Sequence, residues 1–229
     1  LQKRLFCYTH YGHYVKLMDT MMDSVETALD LYDKSQAARA RGDLGLAEDL
    51  CAASLGMFQR VDGENCPDAA NLLNALAEIR DQRGDYEGAL QACRQSLAIL
   101  DSIRTTFKGE DASAIRVQAL GRVGNIQRHL AQYPEAESTL RAALDYAREQ
   151  LGESHHQTSF ARNNLGMLYK YTAEFDKAEA LYRAALDALE HQLGEKHPQT
   201  AALYHNLGGL EHARGNFAKG EPLARTAWE

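Results

Sequence analysis

Nine histidines and four cysteines are the side chains of this sequence best suited to chemistry, and their spacing decides which chemistry is open to them. His10 and His13 stand three apart among Tyr8, Tyr11 and Tyr14, so two imidazoles on one helical face could share a metal ion. Structural zinc sites close with four ligands, which this pair does not supply, so no metal is expected. His155-His156 and His197 precede Gln-Thr and Pro-Gln-Thr, at boundaries between helical units. That position reads as helix capping or loop packing rather than acid–base catalysis. Cys7, Cys51, Cys66 and Cys93 form no CxxC pair and no regular framework, which points to a reducing compartment and a cytoplasmic location. Cys51 and Cys93 fall at the same position of an internal repeat, where a thiol serves as a small buried hydrophobe. The sequence holds no Gly-rich phosphate loop, no HExxH and no GxSxG. Carboxylates such as Glu135 and Glu137 occur at the density of a solvated helix face. No catalysis and no cofactor are therefore expected of this chain.

Bulk chemistry sets wide bounds. Hydrophobic residues at 45% and charged residues at 25% are the composition of a soluble globular protein. A net charge of −7 argues against a nucleic-acid surface, while leaving room for a local basic patch. No run of about 20 apolar residues is present, so no membrane span is expected. The opening LQKRLFCYTHYGHY lacks the apolar centre of a secretory signal. The absence of an initiator Met and the ending at Trp228-Glu229, directly after a predicted helix, lead us to expect a piece of a longer protein.

The elements that must position any functional side chain are copies of one helical unit. Ala178 has counterparts at Ala47, Ala89, Ala136 and Gly220, at steps of 42, 47, 42 and 42 residues. A second marker, Gly-Glu, recurs at Gly63-Glu64, Gly109-Glu110, Gly152-Glu153 and Gly194-Glu195 with nearly the same period. The five extra residues between the second and third units must sit in a longer loop or helix. Within each unit the second helix carries an apolar face: Ala47, Leu50, Cys51, Ser54, Leu55 and Phe58 in the first unit, and Ala178, Leu181, Tyr182, Ala185, Leu186 and Leu189 in the fourth. Arg41-Gly42-Asp43, Arg83-Gly84-Asp85 and Arg214-Gly215-Asn216 read as hairpin turns, with Gly ending one helix and Asp or Asn capping the next. Val15, Met18, Met22, Val25 and Leu29 form one stripe of an amino-terminal helix that would cover the open end of the first unit.

Leu165-Gly166, Tyr169, Ala178, Tyr182 and Ala185 stand at the spacings of the tetratricopeptide repeat (TPR), which this segment resembles. The 42-residue period and the junction Leu-Gly-Glu-x-His-x-x-Thr, at Leu151 to Thr158 and Leu193 to Thr200, resemble the kinesin-light-chain kind of TPR. The resemblance implies an all-α, right-handed α-solenoid of about five helical hairpins plus an amino-terminal helix. We divide the chain into a capping helix over 1–27 and an array over 28–229, with repeats at about 28–63, 68–109, 111–152, 156–195 and 198–229. In this family the first helix of each hairpin lines a concave groove. Carried over position by position, the groove residues are Asn74 in the second unit, Arg122, Asn125 and Arg128 in the third, Asn163, Asn164 and Lys170 in the fourth, and His205 and Asn206 in the fifth. Asn71, Glu78, Asp81, His129, Met167, Tyr171 and His212 fall on the same face. An amide offers donors and an acceptor, so a row of them suits the backbone of an extended peptide, and the neighbouring cations suit acidic groups. The resemblance thus implies a module that binds a protein or peptide partner, extended or acidic, and acts as an adaptor or scaffold. The alternative is a regulatory or sensing arm of a larger enzyme or signalling protein, for example a fused protease or ATPase. Oligomeric state is left open by the sequence.

Overall fold

Glycine and proline punctuate this chain, and the helices run between them. The computed structural model describes the backbone of residues 12–227 and the side chains of residues 24–227. Ten α-helices and no strand are found among the described residues: α1 (Gly12–Ala40), α2 (Leu44–Asp62), α3 (Pro67–Gln82), α4 (Tyr86–Ser102), α5 (Glu110–His129), α6 (Tyr133–Leu151), α7 (His156–Tyr171), α8 (Phe175–Leu193), α9 (Pro198–Ala213) and α10 (Phe217–Thr226). Consecutive helices pair as five antiparallel hairpins, and each second helix packs on the first helix of the next unit. The first helices α3, α5, α7 and α9 also touch one another in series, forming the inner layer of an all-α, right-handed solenoid.

No break falls at residues 27 and 28, where a separate capping helix was expected to end: α1 runs through both. The reason is visible in the chain, because between Gly12 and Gly42 there is neither Gly nor Pro to stop a helix. Val25 and Leu29 pack against the core, whereas the side chains of Val15, Met18 and Met22, and the His10/His13 pair, lie outside the described residues. The extra residues between units two and three are shared between the connection 103–109 and α5, which has 20 residues against 16 in α3, α7 and α9.

Small residues set how closely two helices of a hairpin cross. Ala47, Ala89, Ala136 and Ala178 are fully buried, and twelve positions before each stands a small residue, Ser35, Ala77, Gly124 and Gly166; Ser35 Oγ donates to Ala47 O at 2.7 Å. A Cβ on Gly166 would lie 2.7 Å from Tyr182 Cε1, so the fully buried Tyr182 ring occupies the space a side chain would need. Burying a ring of that size contributes about 1.5–3 kcal/mol, which an Ala at 166 would put at risk by displacing it. Buried serines tie second helices to neighbouring carbonyls: Ser54 Oγ donates to Ala28 O at 2.7 Å and Ser96 Oγ to Ala70 O at 2.8 Å. Cys51 and Cys93 are fully buried, as expected of their repeat position.

Turns and junctions follow local chemistry. Gly42, Gly84 and Gly215 take φ of 81, 80 and 81°, and Asp43 and Asp85 cap α2 and α4 by accepting from Leu46 N and Gly88 N. Asn216 does not cap α10; its Nδ2 donates instead to Glu211 Oε2 at 3.0 Å. The third and fourth hairpins turn through Ala131 and Ala173, non-glycine residues at φ 58 and 62°. At two junctions the same device recurs: Thr158 Oγ1 donates to Gly152 O at 2.7 Å, and Thr200 Oγ1 to Gly194 O at 2.9 Å. His155 Nδ1 and His197 Nδ1 accept from Gln157 N and Gln199 N at 3.1 and 3.2 Å, so both histidines cap helices.

Candidate functional site in the concave groove

Polar side chains on the inner faces of α3, α5, α7 and α9 have two possible employers, the neighbouring helix or a ligand. Most of the asparagines are held by the neighbouring helix. Asn74 is buried and its Nδ2 donates to Ile115 O at 2.8 Å, tying α3 to α5. Asn125 Nδ2 donates to Asn164 Oδ1 at 3.2 Å, and Asn206 Nδ2 donates to Asn163 Oδ1 at 2.7 Å. The third, fourth and fifth units are therefore joined by amide pairs, where the sequence suggested a row of free amides. Asn164 is 2% exposed, so it belongs to the packed interior of the array, while Asn163 and Asn206 are half-buried. Its Nδ2 lies 2.7 Å from where a Cβ on Gly121 would sit, close enough that only glycine fits at 121.

These pairings leave a hydrogen-bonding group unspent on three of the amides. Asn74 Oδ1, Asn125 Oδ1 and Asn164 Nδ2 are buried without a partner, as is Arg128 Nε. Buried polar atoms are nearly always satisfied in folded proteins, and these four are among ten such atoms in the described residues.

Charge divides the groove into two halves. On the amino-terminal side Glu78 takes Arg39 at 2.6 Å and Arg122 at 3.3 Å, and Asp81 lies 3.7 Å from Arg122. Arg122 is thus already partnered within the array. Further along, Arg128 and Lys170 occupy the same position of units three and four, and neither meets a carboxylate among the described residues. The Arg128 guanidinium, 5% exposed, lies over the Tyr171 ring at 4.4 Å and donates toward His129 Nε2 at 3.1 Å. Burial and the Arg128 charge hold the His129 imidazole below its ordinary pKa, which keeps it neutral and able to accept that bond. Lys170 Nζ sits 5.9 Å from the same ring and 3.7 Å from the place a Cβ on Gly209 would take, so it reaches across to α9. Tyr171 itself is 58% exposed, and His205 is exposed on the same layer. The site is a cationic patch with an aromatic centre, and its two cations are stabilised by ring faces rather than counter-ions.

Period and face assigned these residues to one layer, but not their bonds, because each amide pair links residues 39 or 43 apart on different units. A network outside the groove escaped the sequence altogether. Tyr169 Oη donates to Glu137 Oε1 at 2.8 Å and accepts from Arg141 Nη2 at 2.6 Å, with burial and the Glu137 bond pushing its pKa to about 12. Glu137 and Arg141, four apart on α6, were the only available sign of it.

A sequence model of the tetratricopeptide repeat matches residues 26–102, 116–191 and 173–227. Among solved structures, BtubC (BKLC) from P. vanneervenii is 22% identical and superposes with a TM-score of 0.64 over 91% of this chain and 87% of its own. The tetratricopeptide-like repeats of a putative kinesin light chain from Podosopora anserina are 16% identical, with a TM-score of 0.61 over 86% and 91% of the two chains. The Rap conjugation gene regulator of plasmid pLS20, solved in complex with the Phr* peptide, gives a TM-score of 0.71 at 10% identity, over 97% of this chain and 56% of the regulator. Among curated proteins, one from Streptomyces coelicolor named dITP/XTP pyrophosphatase is 29% identical over 155 residues, 66% of this chain and 76% of that protein.

Proposed function

Since the chain belongs to the tetratricopeptide repeat family, we propose that it is a protein-interaction module whose concave groove holds an extended, acidic segment of a protein partner. The observation that carries this reading is the pair of counter-ion-free cations, Arg128 and Lys170, flanking the exposed Tyr171 beside unsatisfied buried amide atoms. Carboxylates of the partner would take the two cations, and its backbone would meet the layer of amides. An aromatic or apolar residue of the partner would stack on Tyr171. The acidic half of the groove, where Glu78 and Asp81 hold Arg39 and Arg122, is already neutralised and favours no ion. A folded relative solved with a peptide, the pLS20 regulator, supports a peptide as ligand class for this architecture. We assign the chain no catalysis of its own, because the tetratricopeptide repeat is a helical scaffold rather than a catalytic fold. Incubation with dITP and magnesium should accordingly release pyrophosphate at the rate of a buffer blank.

The test is a titration of fluorescent Asp- and Glu-rich peptides against the wild-type chain and the Arg128→Ala and Lys170→Ala variants. Each variant should weaken binding by about 1.5–3 kcal/mol, the usual loss for a charge-assisted bond, and added salt should weaken the wild-type complex. Affinities unaltered by both substitutions would remove the acidic segment from this groove.

A further inference from the structure

We propose a second binding site, a cationic cleft at the seam between the second and third units that takes a phosphate ester carrying a flat apolar group. The cleft, of about 210 Å³, opens between the end of α4, the connection 103–109, the start of α5 and the carboxyl-terminal half of α6. Three cations line it, Arg104, Lys108 and Arg116, and no carboxylate does, on a protein whose net charge is −7. Arg104 and Lys108 are exposed and have no ion pair or hydrogen bond among the described residues. Arg116 bonds Asp101 at 2.5 Å, but that carboxylate is 66% exposed, so the pair is solvent-screened and easily exchanged for a better anion. Of the two acids that open α5, Glu110 and Asp111, neither lines the cleft, and Glu110 bonds His155 at 3.0 Å.

The remaining wall selects the rest of the ligand. Ser113, 5% exposed, and Tyr146 place their hydroxyls 3.4 Å apart, long enough that both keep capacity for a third oxygen. The Tyr146 ring lies under the Arg116 guanidinium at 5.8 Å, and Phe107 closes the opposite side with its ring packed on the core. A dianion with three oxygens matches three cations and two hydroxyls better than a single carboxylate does. A cavity of about 150 Å³ holds benzene, so the volume here accommodates one ring and one phosphate. The site also coincides with the one departure from the repeat period, the residues inserted between units two and three, which supply Arg104, Phe107 and Lys108. It is separate from the groove: Ser113 and Arg128 lie about 22 Å apart along α5 at 1.5 Å per residue.

Two sources carry this chemistry, a free aryl phosphate and a phosphotyrosine side chain of a protein. Calorimetric titration of the 229-residue chain with phenyl phosphate, inorganic phosphate and a phosphotyrosine peptide separates them. Phenyl phosphate should bind saturably at one site and more tightly than inorganic phosphate. The Arg104→Ala/Lys108→Ala double variant, both changes at exposed positions, should bind it at least about tenfold more weakly, while Lys170→Ala should leave it unchanged. A peptide tighter than phenyl phosphate identifies the protein source, and one no tighter identifies the free ester. Absence of saturable binding, equal affinity in the double variant, or loss in Lys170→Ala would each overturn the site.

Discussion

Asn164 shows how a polar residue on a groove-lining helix can be structural. Its Oδ1 accepts from Asn125 while its own amide nitrogen is buried and unspent, so truncation removes one bond and leaves Asn125 Nδ2 without a partner. Asn164→Ala should therefore destabilise the chain by about 1–3 kcal/mol in urea denaturation, against about 0.5–1.5 kcal/mol for the more accessible Asn206→Ala. Equal, negligible losses would mean the amides are solvated after all. Titration gives a second residue-scale test. His129 and His156 have depressed pKa values, through burial first and a neighbouring Arg128 or His155 second. The unfolded chain then binds protons that the folded chain refuses, so stability is full above the ordinary imidazole value of about 6.5 and declines as pH falls below it. Glu137, Glu179 and Glu211 are depressed by bonds to Tyr169, Arg214 and Asn216 respectively, and they withdraw a further share below the ordinary carboxylate range of about 4.3. The melting temperature should fall in two stages on acidification, and His129→Gln/His156→Gln should abolish the first. Repeat spacing placed these residues on the first helices of successive hairpins, α3, α5, α7 and α9, since period fixes the position of each residue in its unit. It could not foresee Asn125 bonding Asn164, because that depends on the stagger between units, which no single helix records.

Within the hairpins, the turns and crossings were the most legible features. Gly42, Gly84 and Gly215 announced themselves by residue type, whereas the equivalent Ala131 and Ala173 did not, although both adopt the same left-handed backbone. An L-residue there costs about 1–2 kcal/mol relative to glycine, partly offset by glycine's freer unfolded state. Ala131→Gly and Ala173→Gly should each raise stability by about 0.5–1 kcal/mol, seen as a higher urea midpoint with unchanged slope. A lower midpoint would show that those turns are not strained. Ala178→Arg should act in the opposite sense. The methyl is fully buried at the crossing with Gly166, so a charged side chain there faces both overpacking and desolvation, and an intact melting temperature would contradict the observed register. The length of α1 follows from the same punctuation: its amino-terminal stripe belongs to one helix with the first unit, because no Gly or Pro between Gly12 and Gly42 ends it.

At the scale of the whole molecule the buried side chains of the described residues form two cores. The first runs from Ala28 to Leu100 and recruits Ile126, and the second runs from Val117 to Leu210. α5 contributes to both, and the connection 103–109 lies at the seam. In an array held by nearest-neighbour contacts, stability is a sum of local terms, so the seam should let one block open before the other. Urea unfolding followed by circular dichroism should show two transitions, and brief trypsin treatment should cut first at Arg104 or Lys108 to yield two folded-size fragments. A single sharp transition with no early cleavage would make the array one cooperative unit.

The paired junctions share one construction. Between Gly152 and Thr158, and again between Gly194 and Thr200, the glycine, the capping histidine and the threonine satisfy one another within a few residues. Each joint thus makes its capping bonds from its own residues, although the first also reaches outward, through His155 to Glu110 and through Ser154 O to Gln192. The seam at 103–109 is built otherwise: its Ile103 and Phe107 pack on the first core, so that connection is tied to the block before it.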